Sequence, residues 1–394
     1  MLRLALDAAL ADWSVDVARL APTADFVAEV IKVRYPGLAV PVHSRWRHFV
    51  LQGQDLWAAI AGDPRWQSDA RWTTPGAAAR AAFDLVITSV LLDAGAGAKW
   101  HYRDPDTGLV VARSEGLALA SLRWFQSGGL SENAEQPYRA DAAVLRRIDE
   151  RSIERAFQAG EANPLPGLQG RAALLNRLGA VVEAKRDLFA IQDSPRPGGL
   201  FDALSLRVVD SCISAATVLE IVLDALGPIW EGRPRLGGVP LGDCWPHPAL
   251  KGERPDDGYA PLHKLSQWLT YSLIEPLGVA GVAVTDLHQL TGLAEYRNGG
   301  LFVDMGVLAP SDPSALSTTH AVGDPFVVSW RALTVALLDE LAPLVGARLG
   351  LTSERFPLAR MLEGGTWAAG RIIAARLRPG GDPPFHISSD GTVF

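Results

Sequence analysis

The stretch Thr74–Gly116 reads TPGAAARAAFDLVITSVLLDAGAGAKWHYRDPDTGLVVARSEG, and its reading decides the fold class. Thr74 is an N-cap and Pro75 a first helical residue, so a helix opens there. Apolar residues then recur at helical spacing over Gly76–Asp93. Ala94-Gly95-Ala96-Gly97 is a stop signal, because glycine tolerates the backbone turn that ends a helix. Lys99–Arg103 and Leu109–Arg113 flank the turn cluster Asp104-Pro105-Asp106-Thr107-Gly108, which predicts a β-hairpin within residues 95–115. Ser114-Glu115 opens the next helix, running to about Gln126. The pattern is helix, one small hairpin, helix.

Outward from this stretch, helical periodicity dominates. Leu2–Leu20 and Asp25–Val33 predict amphipathic helices, so residues 1–75 read as a helical segment packed on the remainder. Ala140–Ile148, Ser152–Ala159, Gly170–Phe189, Phe201–Leu226, Pro261–Ile274, Thr285–Leu293, Leu301–Leu308 and Phe326–Leu344 predict further helices. Pro357–Leu377 predicts one or two more, and Pro384–Phe394 an extended tail. Asn163–Gly170 and Asp193–Gly199 are Pro/Gly linkers too short to mark domain boundaries. Pro228–Gly258 is a proline-rich loop, and residues 228–260 are expected to border the site. The expectation is a mainly α protein, one compact domain over residues 1–394.

Composition narrows the function. The hydrophobic fraction is 48% of 394 residues, enough for a large core without staples. The formal net charge of −7 argues against nucleic acid as a partner, since that binding rests on Lys and Arg neutralising phosphates. Cys212 and Cys244 are too few for a disulfide framework, which suggests a reducing compartment. Leu204–Leu226 comes nearest to a membrane span, but it contains Arg207, Asp210, Glu220 and Asp224. Residues 1–21 lack the pattern of a secretory signal. A cytoplasmic protein with no membrane partner is expected.

Several groups could carry chemistry. Asp93 sits beside the glycine turn with Trp100 and His101 just beyond it, as a pocket wall or as a capped turn and hairpin. The turn matches neither a Walker loop nor a dinucleotide fingerprint. Cys244 and His247 have C-x2-H spacing, but a zinc site needs three or four ligands and no companion motif supplies them. Lys264, Gln267, Trp268 and Tyr271 follow i, i+3, i+4, i+7 and so share a helix face, with His263 just before it. A cation, an amide, an indole and a phenol on one face suit a polar ligand, or a half-exposed surface. Glu295-Tyr296-Arg297-Asn298-Gly299-Gly300 joins two apolar segments as a buried polar turn or a surface ion pair.

Taken together, His43–Phe49, Asp93–Tyr102, Gly242–His247, His263–Tyr271, Leu290–Leu308, Glu363–Gly370 and Ser389–Phe394 resemble a fungal and bacterial uracil-catabolism family, long carried as a domain of unknown function. The resemblance implies work on a ribosylurea-type intermediate that yields urea, after uracil has been made into a nucleotide and its ring opened. More distantly, the chain is similar to queuosine-salvage nucleotide N-glycosidases. Those proteins have Asp followed seven residues later by Trp, as Asp93 and Trp100 are here. Their Lys-x-x-Gln helix is similar to Lys264 and Gln267, and their Asp-Tyr-Arg motif to Glu295-Tyr296-Arg297. Glu replaces Asp in that motif, and Asn298-Gly299-Gly300 replaces a proline-containing stretch. This second resemblance implies a fold like that of helical DNA glycosylases.

The two resemblances imply an N-ribosyl hydrolase. Such a reaction develops positive charge at the anomeric carbon, which a carboxylate stabilises. Glu295 is expected at the sugar, Asp93 as its partner, and His101 or His263 as the proton source. Lys264 and Arg297 are expected on a 5′-phosphate, and Trp100, Trp245 and Trp268 as walls, with His247, Gln267 and Tyr271 also facing the small ribosylated substrate. This chemistry calls for no metal or cofactor. Two other readings stay open: a metal-dependent amidohydrolase centred on Asp243, Cys244 and His247, and a metabolite-binding subunit without turnover.

Overall fold

The computed structural model describes residues 1–62, 64–67, 70–97, 99–190, 194–230 and 232–388. Part of the Asp193–Gly199 linker, the glycine turn's Ala98 and the Ser389–Phe394 segment lie outside the described residues. The structure is 55% helical and, among the described residues, the sheets are small and two-stranded, so the protein is mainly α. In chain order the longer helices are α1 (Leu20–Arg34), α2 (Pro75–Leu91), α3 (Arg113–Gln126), α4 (Leu168–Ala184), α5 (Ala215–Leu226), α6 (Lys264–Val279), α7 (Tyr296–Asp304), α8 (Pro325–Leu349) and α9 (Trp367–Leu377).

The contacts divide the chain into two compact units interleaved in sequence. The first holds residues 1–43, 232–267 and 287–388; the second holds 44–230 and 268–286. In the first unit, α1 packs on α8, and α7 packs along α9. Trp13, Phe326, Phe385 and Trp330 form an aromatic cluster, with Trp13 stacked on Phe326 at 4.5 Å. In the second unit, α2 is buried along most of its length and packs on α3. The side chain of Thr74 accepts from the N–H of Ala77, so α2 starts where its cap signal stands. The 95–115 stretch forms the hairpin His101–Arg103 with Val110–Ala112. Trp57, Trp66, Trp72 and Tyr138 make a second aromatic cluster, with centroids 5.0–5.6 Å apart.

Four elements differ from the periodicity reading. Thr285–Leu293 is no helix: Ala283–Thr285 pairs as a strand with Cys212–Ser214, and only the short 3-10 turn Leu287–Gln289 follows. Leu2–Leu20 is not one helix: Leu2–Leu6 is helical, and Trp13–Val15 pairs as a strand with Leu308–Pro310. Long-range pairing and the buried Trp13 override local propensity there. Phe201–Leu226 is broken by Asp210 and Ser211, both at positive φ, and by the strand Cys212–Ser214. Ser214 then caps α5 by accepting from the N–H of Thr217. Finally, the 228–260 loop carries short ribbons, Arg235–Leu236 with Val239–Pro240 and Cys244–Pro246 with Tyr259–Pro261.

Candidate functional site

The first unit gathers buried charge where the ribbon Cys244–Pro246 meets α6, α7 and α8. Asp243, Lys264, Glu295, Arg297 and Arg331 are all less than 9% exposed. Arg331 projects from the middle of α8 and donates both terminal nitrogens to Asp243, each at 2.7 Å. Its Nε donates to the carbonyl of Ala294 at 3.2 Å, immediately before Glu295. Trp245 Nε1 and the N–H of Lys264 complete the shell of Asp243, at 2.8 and 3.0 Å. Burial alone would raise the Asp243 pKa, but the Arg331 guanidinium outweighs it and holds the carboxyl well below its ordinary range.

Asp243 also positions the residues before α6. Its carbonyl accepts from the N–H groups of Leu262 and His263. His263 has φ +44°, a left-handed conformation uncommon for a side-chain-bearing residue and one that collects at functional sites. Burial lowers the His263 pKa; Asp243 opposes this and Arg331 reinforces it. Gln267, one turn on, accepts from the N–H of Thr291 at 3.2 Å.

Glu295 is the N-cap of α7. Its carboxylate accepts from the N–H of Asn298 at 2.5 Å and of Arg297 at 2.8 Å. A carboxylate there meets the positive end of the helix dipole. Burial nonetheless wins and raises the Glu295 pKa, against those N–H bonds and the charges of Lys264 and Arg297. The group is therefore a desolvated carboxylate with cationic neighbours. Arg297 anchors its guanidinium on the Gly381 carbonyl at 2.8 Å, while its Nε has no hydrogen-bond partner among the described residues. Asn298 donates to the Leu293 carbonyl at 3.2 Å, which leaves its buried Oδ1 as an acceptor without a partner among the described residues.

Gly299, expected in a buried polar turn or a surface ion pair, lies in helix α7 instead. A Cβ there would stand 2.3 Å from the Trp330 ring. Close helix packing, rather than backbone freedom, demands glycine.

The second unit holds Asp93, Trp100, His101, Trp268 and Tyr271. Asp93 faces Arg45 Nη1 at 3.0 Å, with both side chains buried. Arg45 also donates to Ser89 at 2.7 Å and lies 5.6 Å from the Trp268 ring. Burial lowers the Arg45 pKa, and Asp93 opposes it. Arg171 binds the carbonyls of Leu92, Ala94 and Gly95, so its guanidinium supplies the donors at the end of α2. Trp100 is a core residue: its Nε1 donates to the Phe157 carbonyl at 3.0 Å, and Gly116 packs against its ring. His101 is exposed on the hairpin and contacts the Lys99 carbonyl. Trp268 and Tyr271 are buried in α6 and belong to the second unit, whereas Lys264 and Gln267 belong to the first.

Of the C-x2-H pair, Cys244 is buried, and burial with Asp243 beside it pushes its thiol to about 11. His247 lies with Nε2 3.9 Å from Asp12, and burial lowers its pKa. Among the described residues no three His, Cys, Asp or Glu side chains gather as a metal-ligand set. Among those residues, too, no helix is long and apolar enough to cross a membrane.

Asp243 enters the site chiefly as the anchor that aligns Trp245, His263 and Lys264. Arg331 escaped the sequence reading. Its signal was a lone charge between Trp330 and Leu333 in an otherwise apolar run, which is costly unless paired.

Comparison with known proteins follows the same residues end to end. A family described as "Protein of unknown function (DUF1688)" matches residues 1–394. The chain is 38% identical to "Protein urg3" of Schizosaccharomyces pombe over 404 aligned residues, covering 100% of this chain and 95% of that protein. It is 34% identical to "Uracil catabolism protein 4" of Lachancea kluyveri, covering 97% and 92%.

Proposed function

The chain belongs to the DUF1688 family, and from that premise we propose that it acts in uracil catabolism as a hydrolase of a ribosylurea-type intermediate. The reaction breaks the C–N bond between the anomeric carbon and the ureido nitrogen. Water supplies the hydroxyl of the sugar product, and urea leaves. The observation that carries this reading is Glu295: a buried carboxylate with a raised pKa, fixed by two backbone N–H groups beside Lys264 and Arg297. Perturbed groups of this kind cluster at functional sites.

In this reading Glu295 is ionised in the working enzyme. It stabilises the cationic sugar and takes a proton from the attacking water. Lys264 and Arg297 attract a 5′-phosphate. Asn298 Oδ1 accepts from an N–H of the ureido group, a donor-rich partner suited to a lone acceptor. The proposal includes a kinship with helical N-glycosidases, carried by the Lys264-x-x-Gln267 and Glu295-Tyr296-Arg297 matches. Asp93 and His101 enter no step, because Asp93 is paired with Arg45 and His101 is exposed.

The test is release of urea and of ribose or its phosphate, in parallel, from synthetic ribosylurea and its 5′-phosphate with chelator-treated protein. Matched release of both products is expected, with loss of about 10²–10⁴ in turnover for Glu295→Gln. Release of neither product from folded protein would overturn the reading, as would near-normal turnover in that variant.

A further inference from the structure

The head of α7 carries a buried acceptor without a donor among the described residues. Asn298 is 2% exposed, and its Oδ1 is the atom left over. Which end of the amide is idle follows from its other contact. Nδ2 lies 3.2 Å from the Leu293 carbonyl, which can only accept, so the NH2 end is engaged and the carbonyl end is not. A buried acceptor in that state costs free energy, and few persist in folded proteins without a cause.

The surrounding contacts hold this acceptor beside Glu295. The N–H of Asn298 donates to Glu295 Oε1 at 2.5 Å. The Leu293 carbonyl that receives Nδ2 also receives the N–H of Glu295, at 2.9 Å. Between them, the Ala294 carbonyl takes Arg331 Nε at 3.2 Å. The amide of Asn298 thus folds back over the residues that lead into Glu295, and α8 pins the same segment. Gly299, packed against the Trp330 ring and the Thr334 hydroxyl, fixes how α7 is turned about its axis.

Three acceptor oxygens are therefore set in one helical turn. Each carboxylate oxygen of Glu295 takes one backbone N–H and has capacity for a second donor. Asn298 Oδ1 has all its capacity left among the described residues. Such a set suits a ligand rich in N–H groups and offers little to one that presents lone pairs. A ribosylurea carries an N–H on its anomeric nitrogen and an NH2 at its far end. An intact uracil nucleoside has no hydrogen on its glycosidic nitrogen, and its single N–H is flanked by two carbonyl oxygens.

We propose that Asn298 is a specificity-determining residue that reads the terminal amino group of an open-chain ribosyl ureide, so that the site rejects the intact pyrimidine nucleoside. This rests on the N-ribosyl hydrolase reading and narrows its substrate class.

The experiment is a methylation series on the intact chain. Release of urea, methylurea and dimethylurea is followed from ribosylurea and from its N′-methyl and N′,N′-dimethyl derivatives, with uracil release from uridine in parallel. The N′-methyl compound keeps one terminal N–H for Oδ1; the dimethyl compound has none. Wild-type kcat/KM is expected to change little at the first methyl and to fall about 10–10²-fold at the second, the effect of leaving a buried acceptor unpaired. Uridine is expected to release no uracil. Asn298→Leu, close in size and without the acceptor, is expected to bring the N′-methyl and dimethyl rates together by lowering the former. If that variant does not fold, the step between the two methylated substrates in wild-type protein decides alone. An even decline with added bulk, an unchanged ratio in Asn298→Leu, or turnover of uridine as fast as of ribosylurea would overturn the role of Asn298, as for an Oδ1 that meets only water. Those outcomes leave the hydrolase reading intact. Folded wild-type protein that releases no urea from ribosylurea would overturn both.

Discussion

A desolvated carboxylate can act at the sugar only while ionised, and the direction of the Glu295 shift makes this measurable. Burial raises its pKa from 4.5. The acid limb of kcat/KM is therefore expected above that value, with activity falling as pH drops through the raised pKa. A pH profile checks it, and Glu295→Gln should abolish the limb. For stability the sign is opposite. A raised carboxylate pKa contributes stability that is full below its unfolded value and is lost as pH rises through its folded value. Asp243 behaves conversely, because Arg331 depresses its pKa. Its contribution is present above 3.8 and is lost as pH falls through the depressed value. Removing one partner of a buried pair costs about 3–5 kcal/mol. Arg331→Met should thus lower unfolding free energy by that order near neutral pH, measured by denaturant titration, and should flatten the acid limb of stability.

At the scale of elements, α7 is held by contacts that leave no room. Gly299 touches Trp330 of α8, and Gly370 of α9 touches the Arg297 carbonyl. Gly299→Ala would force overpacking, typically costing about 1–3 kcal/mol. Because α7 carries Glu295, turnover is expected to fall along with the melting temperature. Ala at Gly278, which has nothing within 4 Å, should leave both nearly unchanged. These elements also mark what a sequence can convey. Thr74-Pro75 announced α2, and Asp104–Gly108 announced a hairpin, because caps and turns are local chemistry. Trp13–Val15 could not be read as a strand, because its partner lies at Leu308–Pro310. The polar face of α6 and the Glu295-Tyr296-Arg297 turn stood out as buried-compatible polarity. What organises them did not, since Asp243 finds Arg331 88 positions away.

For the whole molecule, the fold class was legible because amphipathic periodicity recurs along the chain, while the division into units was not. The proline-rich Pro228–Gly258 stretch contains one boundary, but those near Ser44, Trp268 and Leu287 carry no linker signal, and the first unit takes its residues from three separate stretches. The hydrolase reading makes one prediction at this scale. Prolonged chelation followed by dialysis should leave urea release undiminished, checked by product assay alongside metal analysis. A proportional loss that zinc restores would favour the amidohydrolase reading.

The interleaving has a consequence for how the protein comes into being. The α1 helix presents Val27 and Ile31 to glycines of the π turn Leu362–Thr366, and Arg34 reaches carbonyls 329 residues further on. At about 5–20 residues per second, the ribosome makes those partners some 15–65 s after α1 has emerged. Throughout that interval the face of α1 that meets the π turn lacks its partner, while residues 44–230 are completed before that turn is made. Synthesis thus completes the second unit's main stretch before the first unit has all of its residues.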